Sequence, residues 1–242
     1  GGVDPVPHVL NFLRTATVNT FSPEHSGLST DRWQVPTQSC DRSEAFPFDL
    51  PTSPATLPAV LKGKDADGRE AIVPLDYWGD STVRDNVKFW AGAGGYPGAA
   101  LMRDALELTR TCELSDDRVF DFSTPQTSSF RFDWRRDYIA IDTGFAVNDH
   151  NNIAMVGFPF VEIMAAIGVS HARPQRQHKL HYRYGVSSGG ASGRLLPPCI
   201  LRAGLGCAPV PFPQRIFSMR LDWPGQEGQA RCITEVTEEP RR

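Results

Sequence analysis

No run in this 242-residue sequence approaches the ~20 consecutive apolar residues that a membrane-spanning helix needs. The N-terminus lacks the basic-then-apolar pattern of a secretory signal peptide. The five cysteines are an odd number without a C-x-x-C pair, which argues against a disulfide framework and a zinc ribbon. These absences predict a soluble, cytoplasmic protein with free thiols and no membrane partner.

What the sequence does contain is an ordinary globular composition, with 40% hydrophobic and 22% charged residues. It also contains 20 prolines and 21 glycines, so helices and strands should be short, because proline removes a backbone donor and glycine loosens the backbone. The length allows one domain or two small ones. We expect one domain over residues 1–242, with any subdivision falling near residues 150–160.

The hydrophobic pattern predicts a mixture of helices and strands, and hence an α+β fold of short antiparallel strands, a few helices and long loops. Helices are expected over residues 6–18, 97–111 and 160–169. Strands are expected over residues 32–35, 45–50, 70–78, 118–141, 179–186, 215–221 and 230–236. Residues 65–68 should form a turn, and residues 21–28 and 187–193 should form loops.

Charge is distributed unevenly although the chain carries a net charge of only −3. Residues 163–221, the basic segment, contain eight Lys or Arg and no Asp or Glu, giving +8. Residues 1–162 carry 14 basic and 23 acidic residues, a net charge of −9. Residues 222–242 carry three basic and five acidic residues, a net charge of −2. Because salt screens charge over roughly 8 Å, a phosphate backbone responds to such a local surface. The alternative is that these cations point in different directions and pair with the acidic remainder.

The strand predicted over residues 179–186 would place Lys179, His181 and Arg183 on one face. Their spacing of ~6.6–7 Å would match successive phosphates of one DNA strand. A group of aromatic residues interleaved with cations could stack bases, although aromatics are more often core. The aromatic residues are Trp78, Trp90, Tyr96, Phe130, Phe132 and Trp134, and the cations are Lys88, Arg131, Arg135 and Arg136. The predicted nucleic-acid-binding cations are Arg135, Arg136, Arg173, Arg176, Lys179, Arg183 and Arg194.

Residues 185–189 match G-x-S-x-G, the serine elbow of α/β hydrolases, so a hydrolase using Ser187 or Ser188 is an alternative function. The elbow needs a helix directly after the serine, whereas more glycines and then Pro197 follow here. A flexible loop is therefore the preferred interpretation. Its glycines would let the loop that carries Ser187, Ser188 and Arg194 approach nucleic acid closely.

His178 and His181 could ligate a metal, but their odd spacing within one strand would put them on opposite faces. No H-E-x-x-H, phosphate-loop or EF-hand spacing occurs in the sequence. We therefore expect no catalytic residues, no bound metal, no cofactor and no enzymatic activity.

Several segments, in order along the chain, carry a family resemblance. They are D-P-V-P-H-V at residues 4–9, L-D-Y-W at 75–78, V-K-F-W-A-G at 87–92, F-R-F-D-W-R-R at 130–136 and D-T-G-F-A-V-N-D at 142–149. Together they resemble the Csb-type large-subunit component of the type I-U/I-G CRISPR surveillance complex, Cascade. The chain departs from that pattern at Pro7, Tyr77, Phe89 and Ala146.

The resemblance implies a non-catalytic subunit acting in antiviral defence, with sequence read by base pairing and a short adjacent motif, the PAM, read by protein. Implied partners are guide RNA, target double-stranded DNA, the backbone and guide-end-binding subunits, and a recruited nuclease-helicase. Lys88 and Trp90 should make a partner or structural contact. A purely architectural subunit, whose basic segment meets acidic protein surfaces, remains an alternative.

Overall fold

This computed structural model describes residues 4–41, 51, 53–78, 95–139, 154–187, 197–223 and 231–240. Over these residues the chain forms four α-helices and ten strands in three mostly antiparallel sheets, which confirms the predicted α+β class. None of the helices described is long and apolar enough to cross a membrane.

The first half of the chain builds a four-stranded sheet in the order β2-β1-β3-β4. Its strands are β1 (Thr17–Pro23), β2 (Thr37–Cys40), β3 (Ala59–Lys64) and β4 (Glu70–Leu75). β1 and β2 run parallel, and the other two pairings are antiparallel. The predicted turn joins β3 to β4, where the Asp65 carboxylate accepts from the backbone N–H groups of Asp67 and Arg69 at 2.9 Å.

The three predicted helices pack around this sheet, and one of them ends early. They are α1 (Pro5–Thr15), α2 (Gly98–Thr109) and α3 (Pro159–His171). The prediction extended α1 to residue 18, but the Thr15 hydroxyl accepts from the backbone N–H of Lys64 at 2.9 Å, and Val18 pairs with Leu61 in the sheet. Sheet hydrogen bonds therefore replace the last helical turn.

The main core lies between the first sheet and these helices. Leu75, Tyr77 and Trp78, from the L-D-Y-W segment, are fully buried there. The Trp78 indole N–H donates to the backbone carbonyl of Leu57 at 2.8 Å, and its ring centroid lies 6.4 Å from that of Phe130. Trp78 and Phe130 are thus core residues, and of the described members of the aromatic group considered for base stacking only Trp134 is largely exposed, at 56%.

Two strand predictions in the first half were wrong. Residues 31–33 form a short 3₁₀ turn, since the Trp33 N–H bonds back to the Thr30 carbonyl. Between residues 118 and 139, the only strand is β5 (Thr124–Gln126), which pairs with β6 (Met155–Gly157). Of the aromatic residues that favoured strands here, Phe130 is buried in the core and Phe122 and Phe132 pack against it, whereas Phe120 is exposed. Part of the predicted loop at residues 21–28 also belongs to β1.

The second half builds another four-stranded antiparallel sheet, in the order β10-β9-β8-β7. Its strands are β7 (Gln175–His178), β8 (His181–Ser187), β9 (Gln214–Asp222) and β10 (Cys232–Glu238). Helix α4 (Pro198–Leu205) contacts β8 and was not predicted. Pro197 and Pro198 were interpreted as breakers, but proline is well tolerated in the first turn of a helix, where its missing N–H has no intrahelical partner.

Candidate nucleic-acid interface

The second sheet has an apolar face and a polar face, because side chains alternate along its strands. Tyr182, Met219 and Leu221 are buried on the apolar face and form a small second core. The polar face follows from the register: His181 of β8 lies opposite Arg220 of β9, and Arg183 lies opposite Ser218. This face contains part of the predicted nucleic-acid surface.

Arg183 and Arg215, two cations of the basic segment, are held by glutamates that follow it in sequence. The Arg183 guanidinium forms a bidentate pair with the Glu239 carboxylate, with N–O distances of 2.5 and 2.6 Å. Arg215 pairs with Glu238 in the same way, at 2.8 and 2.6 Å. Hydrogen bonding to its carboxylate raises the pKa of each guanidinium. Both guanidinium groups are therefore already ion-paired within the chain.

Lys179, His181 and Arg183 do not form the predicted row, because the strand begins two residues later than predicted. β8 begins at His181, and Lys179 lies in the two-residue turn that connects it to β7. The Lys179 ammonium lies 4.8 Å from the ring centroid of Trp223. Alternation along β8 thus does not extend to Lys179, and its position is set by the turn and the indole.

His178 and His181 lie side by side, so the sequence prediction of opposite faces was wrong. They belong to two strands and are direct cross-strand partners at the ends of the turn. Their ring centroids are 5.4 Å apart with an interplanar angle of 55°. Residues i and i+3 lie on opposite faces of a single strand. When a two-residue turn lies between them, they become cross-strand neighbours instead.

Three exposed cations surround this hairpin. Arg176 lies on β7 opposite Tyr182, Lys179 lies in the turn, and Arg220 lies opposite His181. Among the described residues none of the three has an acidic side chain within ion-pairing distance. Arg220 was absent from the predicted site because its contact with the hairpin arises only from the pairing of β8 with β9.

Arg173, which precedes the hairpin in sequence, and Arg202, which follows it, are both engaged within the chain. Arg173 is half-buried between α3 and β7 and has interaction partners within the chain. Arg202, on α4, donates to the backbone carbonyl of His171 at the end of α3. The basic segment is therefore divided between cations that hold the fold and cations exposed at the hairpin.

Arg135 and Arg136 are also engaged within the chain. The Arg135 guanidinium bonds the Asp133 carboxylate at 2.7 to 3.2 Å and lies 3.9 Å above the ring of Phe158. Arg136 donates to the backbone carbonyl of Phe130 at 3.1 Å. These contacts fold the F-R-F-D-W-R-R segment on itself, which leaves its arginines less available for phosphate than the hairpin cations.

Glu162, a buried acid on α3, anchors the same segment, and no sequence pattern distinguishes it. Its carboxylate accepts from the backbone N–H of Phe132 at 2.7 Å and from that of Asp133 at 3.3 Å. Burial raises the pKa of Glu162 to about 7, against the opposing effects of the Arg136 charge and these two N–H groups. Only the tertiary contact reveals this group, since a lone Glu in an apolar helix carries no motif.

The predicted loop site is described only at its beginning. Ser187 is the last residue of β8, opposite Gln214 of β9. Ser188 and Arg194 lie outside the described residues, as do Lys88 and Trp90 and the resembling blocks at 87–92 and 142–149. The serine elbow, which requires a helix directly after Ser187, likewise falls outside them.

A large apolar cleft of about 1010 Å³ lies between α3, α4 and the apolar face of the second sheet. Val161, Val169, Leu205 and Met219 contribute to its lining. Trp134 and Leu201, which are 56% and 47% exposed, also line it. The cleft therefore offers mainly apolar contact area.

One described group of residues has metal-ligand chemistry, at the turn of the first sheet. Ligand atoms of His8, Asp65 and Asp67 lie within 4.8 Å of one another. The Asp65 carboxylate already accepts two backbone N–H groups, which together lower its pKa, and Asp67 pairs with Arg69 at 3.1 Å. These internal bonds account for the cluster without an ion.

Comparison of the chain with protein-family models, curated proteins and solved structures found no match.

Proposed function

We propose that this chain is a non-catalytic, nucleic-acid-contacting subunit of an RNA-guided surveillance complex of the type I-U/I-G CRISPR kind. The observation that carries the proposal is the group of exposed cations Arg176, Lys179 and Arg220 around one hairpin of the acid-free basic segment. Exposed cations without ion-pair partners are those that phosphates engage at the lowest cost, because no existing pair must be broken. The ordered motif resemblance supplies the biological context.

In this proposal the subunit acts in the cytoplasm, beside guide RNA, the backbone subunits and a recruited nuclease-helicase. The hairpin cations contact the phosphates of target double-stranded DNA, which gives affinity without sequence preference. PAM reading falls to the loop that follows β8, with Ser187, Ser188 and Arg194. An arginine that grips a base edge there would contribute about 1–3 kcal/mol of preference at one position.

The test is the salt dependence of duplex binding by the chain with Lys179→Ala and Arg220→Ala together. We expect affinity to fall equally across DNA sequences and the slope of log K against log salt to flatten by about one to two, because each lost phosphate contact removes ~0.9. The matched control is Lys62→Ala with Lys64→Ala, which removes the same formal charge from exposed positions of the first sheet. Equal effects of the two double variants would show that only net charge matters and would contradict a localised interface.

An architectural subunit is the second candidate, and the apolar cleft with its exposed Trp134 and Leu201 favours it. Here Leu201→Asp should prevent co-purification with the other subunits while leaving duplex binding by the isolated chain unchanged. Under the first proposal, Leu201→Asp spares both properties, and the hairpin variant weakens DNA binding by the assembled complex.

A further inference from the structure

The Glu239 carboxylate occupies a small anion-binding site on the polar face of the second sheet. It accepts two hydrogen bonds from the Arg183 guanidinium of β8, at 2.5 and 2.6 Å, and a third from the Ser218 hydroxyl of β9, at 2.8 Å. Nη1 of Arg183 donates to the side-chain oxygen of Gln175 on β7 at 3.1 Å, which orients the guanidinium. Three strands thus supply a fork of N–H donors and a hydroxyl, groups that also recognise a phosphate.

The Glu239 carboxylate can leave this site without a change in the sheet. Glu239 lies one residue beyond the end of β10, and its backbone N–H donates to the Ile216 carbonyl at 2.8 Å. Because the backbone is anchored separately, rotation of the Glu239 side chain is enough to remove the carboxylate. The Arg183 and Glu239 side chains are 27% and 26% exposed, so solutes can reach the pair and water screens its attraction.

The site lies beside one of the exposed hairpin cations. Arg183 is directly opposite Ser218 in the register, and Arg220 follows two residues later on β9, so all three share the polar face. Arg183 and Arg220 are therefore diagonal neighbours at about 7–8 Å, close enough for one DNA strand to place neighbouring phosphates on both. The other arginine–glutamate pair lies elsewhere, because alternation along β9 puts Arg215 on the face of Phe217.

Other acidic groups also face this surface. Glu235 of β10 lies opposite Arg220, and Asp222 lies two residues beyond Arg220 on β9. Both weaken the attraction of the whole face for anions. Among the described acids of this face, however, only Glu239 has its carboxylate on a guanidinium. Its removal therefore frees a set of donors, whereas removal of the other charges alters only the local field.

We propose that Arg183 and Ser218 form a phosphate-binding subsite that the Glu239 carboxylate occupies in the free chain, and that a nucleic-acid phosphate enters by displacing this carboxylate. The inference rests on the proposed nucleic-acid contact and concerns its regulation. The apparent affinity of the subsite is reduced by the fraction of time that Glu239 occupies it. A duplex already bound at the hairpin cations is present at a high effective concentration and displaces the carboxylate more readily than a free anion does.

The experiment compares binding of a labelled duplex by the full chain and by Glu239→Gln between ~0.05 and ~0.2 M salt. The variant should bind up to about tenfold more tightly, and the slope of log K against log salt should steepen by ~0.9, because one more phosphate contact forms without competition. Glu235→Gln is the matched control. It changes the charge by the same amount on the same face and should leave the slope unchanged.

Two double variants of equal net charge assign the gain to Arg183. Glu239→Gln with Arg183→Gln should lose the gain, whereas Glu239→Gln with Lys62→Gln, altered at an exposed position of the first sheet, should keep it. Glu239→Asp tests the same contact without a change in charge, because its carboxylate is withdrawn from the guanidinium by one methylene. It should give a smaller gain that Arg183→Gln also abolishes.

Inorganic pyrophosphate separates this inference from the wider proposal. The Nε–H NMR signal of Arg183 should shift at a lower pyrophosphate concentration in Glu239→Gln than in the unmodified chain. This result without duplex binding by any variant would uphold the anion subsite and overturn the nucleic-acid function. A gain in duplex binding that is no larger in Glu239→Gln than in Glu235→Gln, or that survives Arg183→Gln, would overturn the subsite. The nucleic-acid function would then rest on the Lys179 and Arg220 result.

Discussion

The two four-stranded sheets of this protein are stabilised in different ways. The first is covered by helices and shares a large core in which Leu61, Leu75 and Trp78 are fully buried. Among the described residues, the second has a small core of its own, formed by Tyr182, Met219 and Leu221, and leaves one face polar. That polar face carries ion pairs such as Arg183–Glu239. The contrast indicates that the first region contains most of the buried core, and that the second exposes charged groups and an apolar cleft.

The largest expected effect comes from making the same substitution at a buried and at an exposed tryptophan. Trp78→Ala should lower the free energy of unfolding by about 3–5 kcal/mol, since it leaves a cavity and removes the indole bond to Leu57. Trp134→Ala should change it by about 0.5 kcal/mol or less, because that ring is 56% exposed. Denaturant unfolding measures both variants, and similar losses would contradict the placement of Trp78 in the main core and of Trp134 at the surface.

A pH effect should follow from Glu162, which ties the F-R-F-D-W-R-R segment to α3. The pKa of Glu162 is about 7 in the folded state, above its ordinary value of 4.5, so the folded protein binds more protons between these values. The contribution of Glu162 to the free energy of unfolding is therefore complete below pH ~4.5. It falls by about 3 kcal/mol as the pH rises from there through about 7.

The measurement is the free energy of unfolding across this pH range for Glu162→Gln and the unmodified chain. In the variant, the decrease in stability with rising pH that comes from Glu162 should be absent, because glutamine does not titrate. Glu107→Gln, at an exposed position of α2, serves as the control and should retain the pH profile. A Glu162→Gln profile parallel to that of the unmodified chain would exclude burial of a titrating carboxyl at this site.

A pair of glycine substitutions tests how closely α4 packs on the second sheet. A Cβ on Gly185 of β8 would collide with the Gly204 carbonyl oxygen of α4 and with the Gln214 side chain. Gly185→Ala should therefore destabilise by about 1–3 kcal/mol. At Gly168, inside α3, a Cβ meets nothing within 4 Å, and Gly168→Ala should stabilise by about 0.5–1 kcal/mol. Thermal unfolding that shifts both variants in the same direction would argue against this packing.

The smallest effect is expected for the ion pair on the polar face. A double-mutant cycle of Arg183→Ala and Glu239→Gln should give a coupling energy of about 0.2–1 kcal/mol, because both side chains are only partly buried and water screens them. The cycle is measured by denaturant unfolding at low and high salt, and the coupling should decline with salt. A larger, salt-insensitive coupling would place the pair among the main stabilising contacts of the second sheet.

Prediction from sequence succeeded where the local pattern and the final contacts agree. Helix α2 and the turn at residues 65–68 follow from proline, glycine and apolar spacing, which act within a few residues. Prediction failed over residues 118–139, where aromatic content indicated strands. There the side chains of Phe130 and Phe132 pack into the cores while the backbone stays irregular.

For the candidate interface, the amino-acid sequence by itself determined the α+β class and the acid-free segment, because composition and periodicity are local properties. Only the tertiary structure decided which cations are exposed. Glutamates more than 20 residues away in the chain fold back onto Arg183 and Arg215, at separations of 56 and 23 residues. The pairing of β8 with β9 likewise brings Arg220 beside His181. Strand register and long-range ion pairing depend on the whole fold, so no local pattern contains them.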